Sequence, residues 1–203
     1  MKKIILILLL NYSPFLKLLA QNNLTYNFVF GRNFLGTGDT KGLTSGFEIQ
    51  KNNYERKIKF GVLFLYTLND GSASYPYEYP AGNNQNLEIR YTIAGIQISP
   101  TIGILPFKNK NILFQINPLL RYQSSSYWDD LTILYPTITG LNYPVAYINN
   151  QKKLRTISFG VMPKISLYKN ITEKLSLGVF SSFQFDSEAD NIFNFGISIG
   201  TKR

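Results

Sequence analysis

From residue 94 to residue 104 the chain alternates. Ala94, Ile96, Ile98, Pro100, Ile102 and Ile104 fall on even positions, and Gly95, Gln97, Ser99, Thr101 and Gly103 fall between them. Successive side chains of a β-strand point to opposite faces, so this stretch has one oily face and one small or polar face. Its length is also what a tilted strand needs to cross a bilayer, roughly 9 to 11 residues.

The pattern recurs along the chain and predicts eight strands, near 24–34, 43–51, 57–66, 87–105, 112–122, 154–168, 174–185 and 191–201. The first carries Leu24, Tyr26, Phe28 and Phe30 on one face, with Thr25, Asn27, Val29 and Gly31 on the other. The last sets Phe193, Phe195, Ile197 and Ile199 against Asn194, Gly196, Ser198 and Gly200. In the fourth, Leu87, Ile89, Tyr91 and Ile93 are odd, whereas the membrane-length part is even. A β-bulge between Ile93 and Ala94 would flip the faces in this way.

The connections after strands two, four and six are short. The two longest, 67–86 and 123–153, follow strands three and five. An even strand count with short turns at one end and long loops at the other is the asymmetry of an outer-membrane barrel. The expected fold is therefore all-β: an eight-stranded antiparallel up-and-down transmembrane barrel with short periplasmic turns and two long extracellular loops.

Closure follows from the solvent. Hydrocarbon offers no partner to backbone N–H and C=O groups, so a sheet that spans it has no free edge. Eight strands enclose a lumen that side chains fill. The inward positions predict a polar, hydrogen-bonded plug that includes Glu48, Lys59, Gln97, Gln115, Asn117, Arg121 and Lys164. Glu48 is the clear inward carboxylate of the spanning part, and Lys59, Arg121 and Lys164 are its candidate partners, since an unpaired charge there is costly.

Composition narrows the chemistry. Aromatic residues make up 15% of the chain. Tyr26, Phe107 and Tyr168 near one set of strand ends, and Phe34, Tyr66, Tyr122 and Phe185 near the other, fit interfacial girdles. Neither cysteine nor histidine occurs among the 203 residues. No disulfide staples the chain, and the commonest general base and nitrogen metal ligand are missing. The formal charge is +9, which falls to +6 without Lys2, Lys3 and Lys17. The basic residues read as scattered over turns behind an export signal, so nucleic acid is not an expected partner; anionic lipid or lipopolysaccharide is. Residues 1–20 read as that signal: Lys2 and Lys3, an apolar run from Ile4 to Leu10 too short to span a membrane, and Leu18-Leu19-Ala20 before Gln21. The barrel domain then covers 21–203.

On these features, the signal ending Leu-Ala before Gln21, the eight alternating segments and the final strand Ile192 to Gly200, the chain resembles the outer-membrane β-barrel domain of small OmpA- and OmpX-like proteins, often labelled porin family. The resemblance implies residence in the outer membrane of a Gram-negative cell and insertion by the barrel-assembly machinery. Family members usually close on an aromatic residue, where this chain has Thr201-Lys202-Arg203. The family shares no catalytic residues, and no metal or cofactor is expected.

Gly36 to Gly42 holds glycines and a lysine but lacks the Gly-Lys-Ser/Thr of a phosphate loop, and a strand rather than a helix follows it. Asp186, Glu188 and Asp190 offer oxygen ligands, yet without a calcium-loop motif they read as a solvated loop. Tyr75, Tyr77, Tyr79, Tyr127 and Trp128 make the long loops aromatic, as binding hot spots for an external protein or glycan often are. The expected function is a non-enzymatic barrel for surface binding or envelope stabilisation. A small-solute pore and a soluble lipocalin-like carrier are the alternatives, and the missing histidine weighs against a barrel hydrolase.

Overall fold

A computed structural model of the chain describes residues 24–36, 40–53, 57–78, 84–106, 111–188 and 191–202. The strands are β1 (Leu24–Leu35), β2 (Thr40–Asn53), β3 (Ile58–Glu78), β4 (Asn84–Ile104), β5 (Ile112–Leu134), β6 (Val145–Asn170), β7 (Leu175–Asp186) and β8 (Ile192–Lys202), with one short helix, α1 (Pro136–Thr139), between β5 and β6. Each strand pairs antiparallel with the next, and β8 returns to β1 to close the ring. The closing ladder runs from Thr25 opposite Lys202 to Leu35 opposite Ile192.

Alternation sets the two faces. In β7, Leu175, Leu177, Val179, Phe183 and Phe185 are exposed, while Ser176, Gly178, Phe180, Ser182 and Gln184 are buried. Around the ring Phe28, Leu43, Phe64, Ile98, Ile116, Phe159, Val179 and Ile197, one from each strand, all stand on the outside. Ile116 is 61% and Phe159 66% exposed. A contiguous aliphatic and aromatic belt of this size has no stable exposure to water. Its solvent is lipid, and the protein is a transmembrane barrel. Leu24 departs from the expected outward set, being only 1% exposed.

Two sequence expectations need correction. The segments 67–86 and 123–153 are largely strand rather than loop. β3 and β4 stay paired from Asp70–Thr92 out to Glu78–Asn84, beyond the last β2–β3 pair at Lys41–Asp70 and past Ile93, where β4 starts to pair with β5. β5 and β6 likewise pair out to Leu134–Val145, with register shifts between Ser124 and Leu131. The long connections are thus two-stranded arms that continue the barrel wall beyond its rim. The β5–β6 arm ends in α1, whose chain reverses at Gly140 with φ 69°.

The second correction concerns β4. Ile93 and Ala94 pair in unbroken register with Asn69 and Leu68 on one side and with Ser125 and Ser124 on the other, so no bulge separates them. Ile93 keeps its inward direction and is buried with Leu35 and Ile192, and Tyr91 packs against the three. The apolar phase changes because the lumen becomes apolar at that height, not because the strand turns over.

Prolines mark the weakest pairing. The β4–β5 ladder is interrupted between Ile98–Leu120 and Ile102–Ile116, the stretch that holds the outward Pro100 and Pro118. The β6–β7 ladder is interrupted between Val161–Phe185 and Lys164–Ser182, beside Pro163. A proline has no N–H to give a neighbouring strand.

Candidate functional site: the filled lumen and the external arms

The lumen is built from inward positions on all eight strands. Glu48 of β2 and Lys164 of β6 meet across it, with Nζ 2.8 Å from Oε2 and both side chains buried. Gln115 of β5 donates its amide to the other carboxylate oxygen at 2.5 Å. Of the three cations open to Glu48, the fold selects Lys164, whose ammonium also lies 5.4 Å from the ring centre of Phe180. The alternation gave all three the same inward direction, and only the way β2 faces β6 across the ring decides between them.

Arg121 belongs to a second cluster. Its guanidinium donates to Gln123 Oε1 at 2.7 Å and to Thr67 Oγ1 at 3.2 Å. It has room because residue 95 is glycine: a Cβ there would sit 2.7 Å from Nη2. Gln97 donates to Ser99 Oγ at 3.0 Å, and Asn117 donates to the carbonyl of Met162 at 2.9 Å. Lys59 stands apart at the end where β1 starts and β8 finishes, its ammonium 5.7 Å from the ring centre of Tyr168. Among the described residues it forms no ion pair. Tyr168 therefore faces the lumen and is not part of an outer girdle, as its even position among the odd outward residues of β6 requires. Phe107 lies outside the described residues.

The plug is less polar than the inward list suggests. Val29, Leu63, Leu65, Leu119, Met162 and Phe180 form a buried apolar cluster inside the ring. Leu35, Ile93 and Ile192, with Tyr91, make a second one near the loop-side rim. Sequence reading missed both, although every member occupies an inward position. The signal was available in Val29, Leu63, Leu119 and Phe180, which interrupt otherwise small or polar inward rows.

The candidate binding residues of the long connections fall differently. Tyr75 is half-buried on the β3–β4 arm opposite Leu87. Tyr77, Tyr127 and Trp128 lie on strands of the arms, and Tyr79 falls outside the described residues. Among the described side chains of the arms, the most exposed apolar group is Ile138 on α1, which is 70% exposed, and Leu141, Tyr143 and Tyr147 flank it, all exposed. Of the acidic loop, Asp186 turns back to accept from Ser158 Oγ at 3.2 Å and from Gln184 Nε2 at 3.1 Å, and Asp190 lies outside the described residues. No group of three potential metal ligands occurs among the described residues.

The geometry defines the class: a small closed membrane barrel with a packed lumen and two projecting β-arms. No protein-family model matches the chain, and no curated protein sequence matches it. Among solved structures it is similar to the crystal structure of Neisserial surface protein A, with 12% identity and a TM-score of 0.45 over 89% of this chain and 96% of that one. It is also similar to Ail, the attachment invasion locus protein of Yersinia pestis, with 6% identity and a TM-score of 0.43 over 89% of this chain and 99% of that one. The translocator domain of the autotransporter NalP from Neisseria meningitidis aligns at 8% identity and a TM-score of 0.35, over 90% of this chain and 89% of that one.

Proposed function

We propose that the protein is a non-enzymatic barrel of the outer membrane whose β5–β6 arm carries a contact surface for a partner outside the cell. The observation that carries this reading is the tip of that arm. Ile138, Leu141, Tyr143 and Tyr147 are exposed together on a segment that projects past the barrel rim. Aromatic and aliphatic groups that a monomer leaves exposed together are what a protein interface uses at its centre. Outer-membrane residence is supported by the oily outer wall, by the antiparallel closed topology, and by the reading of residues 1–20 as an export signal. Likeness to OmpA- and OmpX-like barrels, insertion by the assembly machinery and a lipopolysaccharide-coated rim belong to the same proposal. So does the absence of enzymatic activity, for which the lack of histidine is the support.

A solute pore is disfavoured by what fills the lumen. Arg121, Leu63, Leu113, Met162 and the Glu48–Lys164 pair are all essentially inaccessible to solvent. A soluble carrier is disfavoured by the direction of the aliphatic face.

The test replaces residues 137–143 with a Gly/Ser linker of equal length in intact cells. The barrel is expected to reach the detergent-insoluble outer-membrane fraction as before, with the mature chain starting at Gln21, while adhesion to host cells or matrix proteins falls. Unchanged adhesion with a wild-type amount of barrel would reject the arm as the contact surface. Recovery of the folded chain in the soluble periplasmic fraction would reject the membrane reading itself.

A further inference from the structure

The barrel is electrically lopsided. Where β1 starts and β8 finishes, Lys51, Lys57, Lys59, Lys169, Lys174 and Lys202 face a single described carboxylate, Glu173. The opposite rim mixes Arg32, Lys41, Arg90 and Arg155 with Asp70, Glu88, Asp186 and Glu188. Basic residues stand at both ends, but the described carboxylates cluster at the arm end, so the fold leaves the net positive charge at the end away from the arms.

A polar cleft opens at this basic end. It holds about 100 Å³ and is lined by Thr25, Asn27, Gln50, Lys59, Tyr168 and Lys202, among other groups that include no Asp or Glu. That volume accommodates several waters or one tetrahedral oxyanion, a water needing roughly 10–15 Å³ on this measure. Lys202 donates to Asn170 Oδ1 at 2.8 Å, and Lys59 lies over the Tyr168 ring, so each ammonium keeps hydrogens to give. Neither forms an ion pair among the described residues. Asn27 supplies the independent observation. It is 1% exposed, it lines the cleft, and both atoms of its amide are buried with no protein partner. A buried amide left unpaired forfeits the hydrogen bonds it had in water, which an occupant of the cleft would restore.

Two ammonium groups and one buried amide donor around a cleft without carboxylates repel a cation and give a neutral solute little. They suit a compact oxyanion, for which charge-assisted donors give the strongest bonds. We propose that Lys59, Lys202 and the amide of Asn27 form a seat for a phosphate group, the chemistry shared by free phosphate and the headgroup of an anionic phospholipid. The seat is independent of any partner at the arms. It lies at the end that would meet the inner leaflet if the arms face outward, and only the lipid arm of the test depends on that orientation.

The experiment uses the folded chain in a phosphate-free maltoside detergent, titrated with inorganic phosphate against chloride at equal ionic strength. The side-chain amide signal of Asn27 is followed by NMR. A saturable shift with phosphate and none with chloride is expected. Lys59→Gln and Lys202→Gln should each weaken it roughly tenfold, the scale of one charge-assisted bond. Lys202, half-exposed at the end of β8, keeps the test open if Lys59→Gln fails to fold. In nanodiscs without free phosphate, phosphatidylglycerol is compared with phosphatidylcholine. A shift with the former alone assigns the seat to a lipid headgroup, and a shift with free phosphate alone assigns it to the soluble anion. A response that follows ionic strength whatever the anion, or one that both variants leave intact, means a hydrated cleft only and overturns the proposal.

Discussion

Glu48 and Lys164 are 116 residues apart in sequence and 2.8 Å apart across the lumen. Because the pair is buried, its two halves are unequal to its whole: removing one partner strands a charge, while removing both does not. Lys164→Met is expected to cost about 3–5 kcal/mol in urea unfolding from detergent micelles. Glu48→Gln combined with Lys164→Met should recover most of that loss. A double variant as unstable as the sum of the singles would show that the groups do not act as a pair.

The closing seam makes a different demand. Gly31 of β1 sits opposite Gly196 of β8. A Cβ on residue 31 would come within 2.8 Å of the Cα of Gly196, and one on residue 196 within 2.6 Å of the Cα of Gly31. Backbone, unlike the tip of a side chain, cannot step aside without parting the strands. Gly196→Val should abolish the compact, heat-modifiable band on cold gel electrophoresis, whereas Ser181→Val on the outer face of β7 should leave it intact. A compact band from Gly196→Val would mean the seam has slack.

The outer wall can be probed by charge. Ile197 lies at the middle of β8, 48% exposed and facing outward. Ile197→Arg should lower unfolding free energy in lipid vesicles by about 2–4 kcal/mol, as a cation at the bilayer midplane does. Tyr147→Arg on the β5–β6 arm should change it by less than about 0.5 kcal/mol. Equal effects at both positions would place lipid in the wrong location.

The β3–β4 arm should be dispensable for folding. Ala73 pairs with Ile89, and beyond that pair the described residues of β3 and β4 are laddered only to each other. Excising residues 74–88 and joining Ala73 to Ile89 through Asn-Gly gives a two-residue hairpin of the favoured kind. Far-UV circular dichroism and heat-modifiability should report a folded barrel, since Tyr91 and Ile93 are retained for the rim cluster. Loss of folding would show that the arm nucleates the wall.

The order and phase of the strands were legible because lipid on one side and a narrow lumen on the other leave period-two alternation little freedom. Phe193 to Ile199 on β8 show it in pure form. The arms were not legible, because beyond the bilayer that constraint lapses. Asn69-Asp70-Gly71 and Pro76 are residue types that favour turns, yet they lie within a continuous strand. Ile93 was misread for a related reason: its greasy side chain was assigned to lipid when it caps the lumen. The choice of Lys164 for Glu48 was also hidden, since parity tells a side chain which side to face and not how far the ring is staggered. The buried amide of Asn27 carries no sequence signal beyond its inward parity.

Pro100 and Pro118, which fall in the gap of the β4–β5 ladder, give the ring one of its two incomplete junctions. Eight ladders of hydrogen bonds hold a cylinder equally only if each is complete, and those joining β4 to β5 and β6 to β7 are both broken at their prolines. A chain divided between β4 and β5 yields two four-stranded halves whose rejoining would remake an already interrupted junction and leave the Gly31–Gly196 junction untouched. The tube is thus least tightly laced at spots far in sequence from where its ends are sewn together.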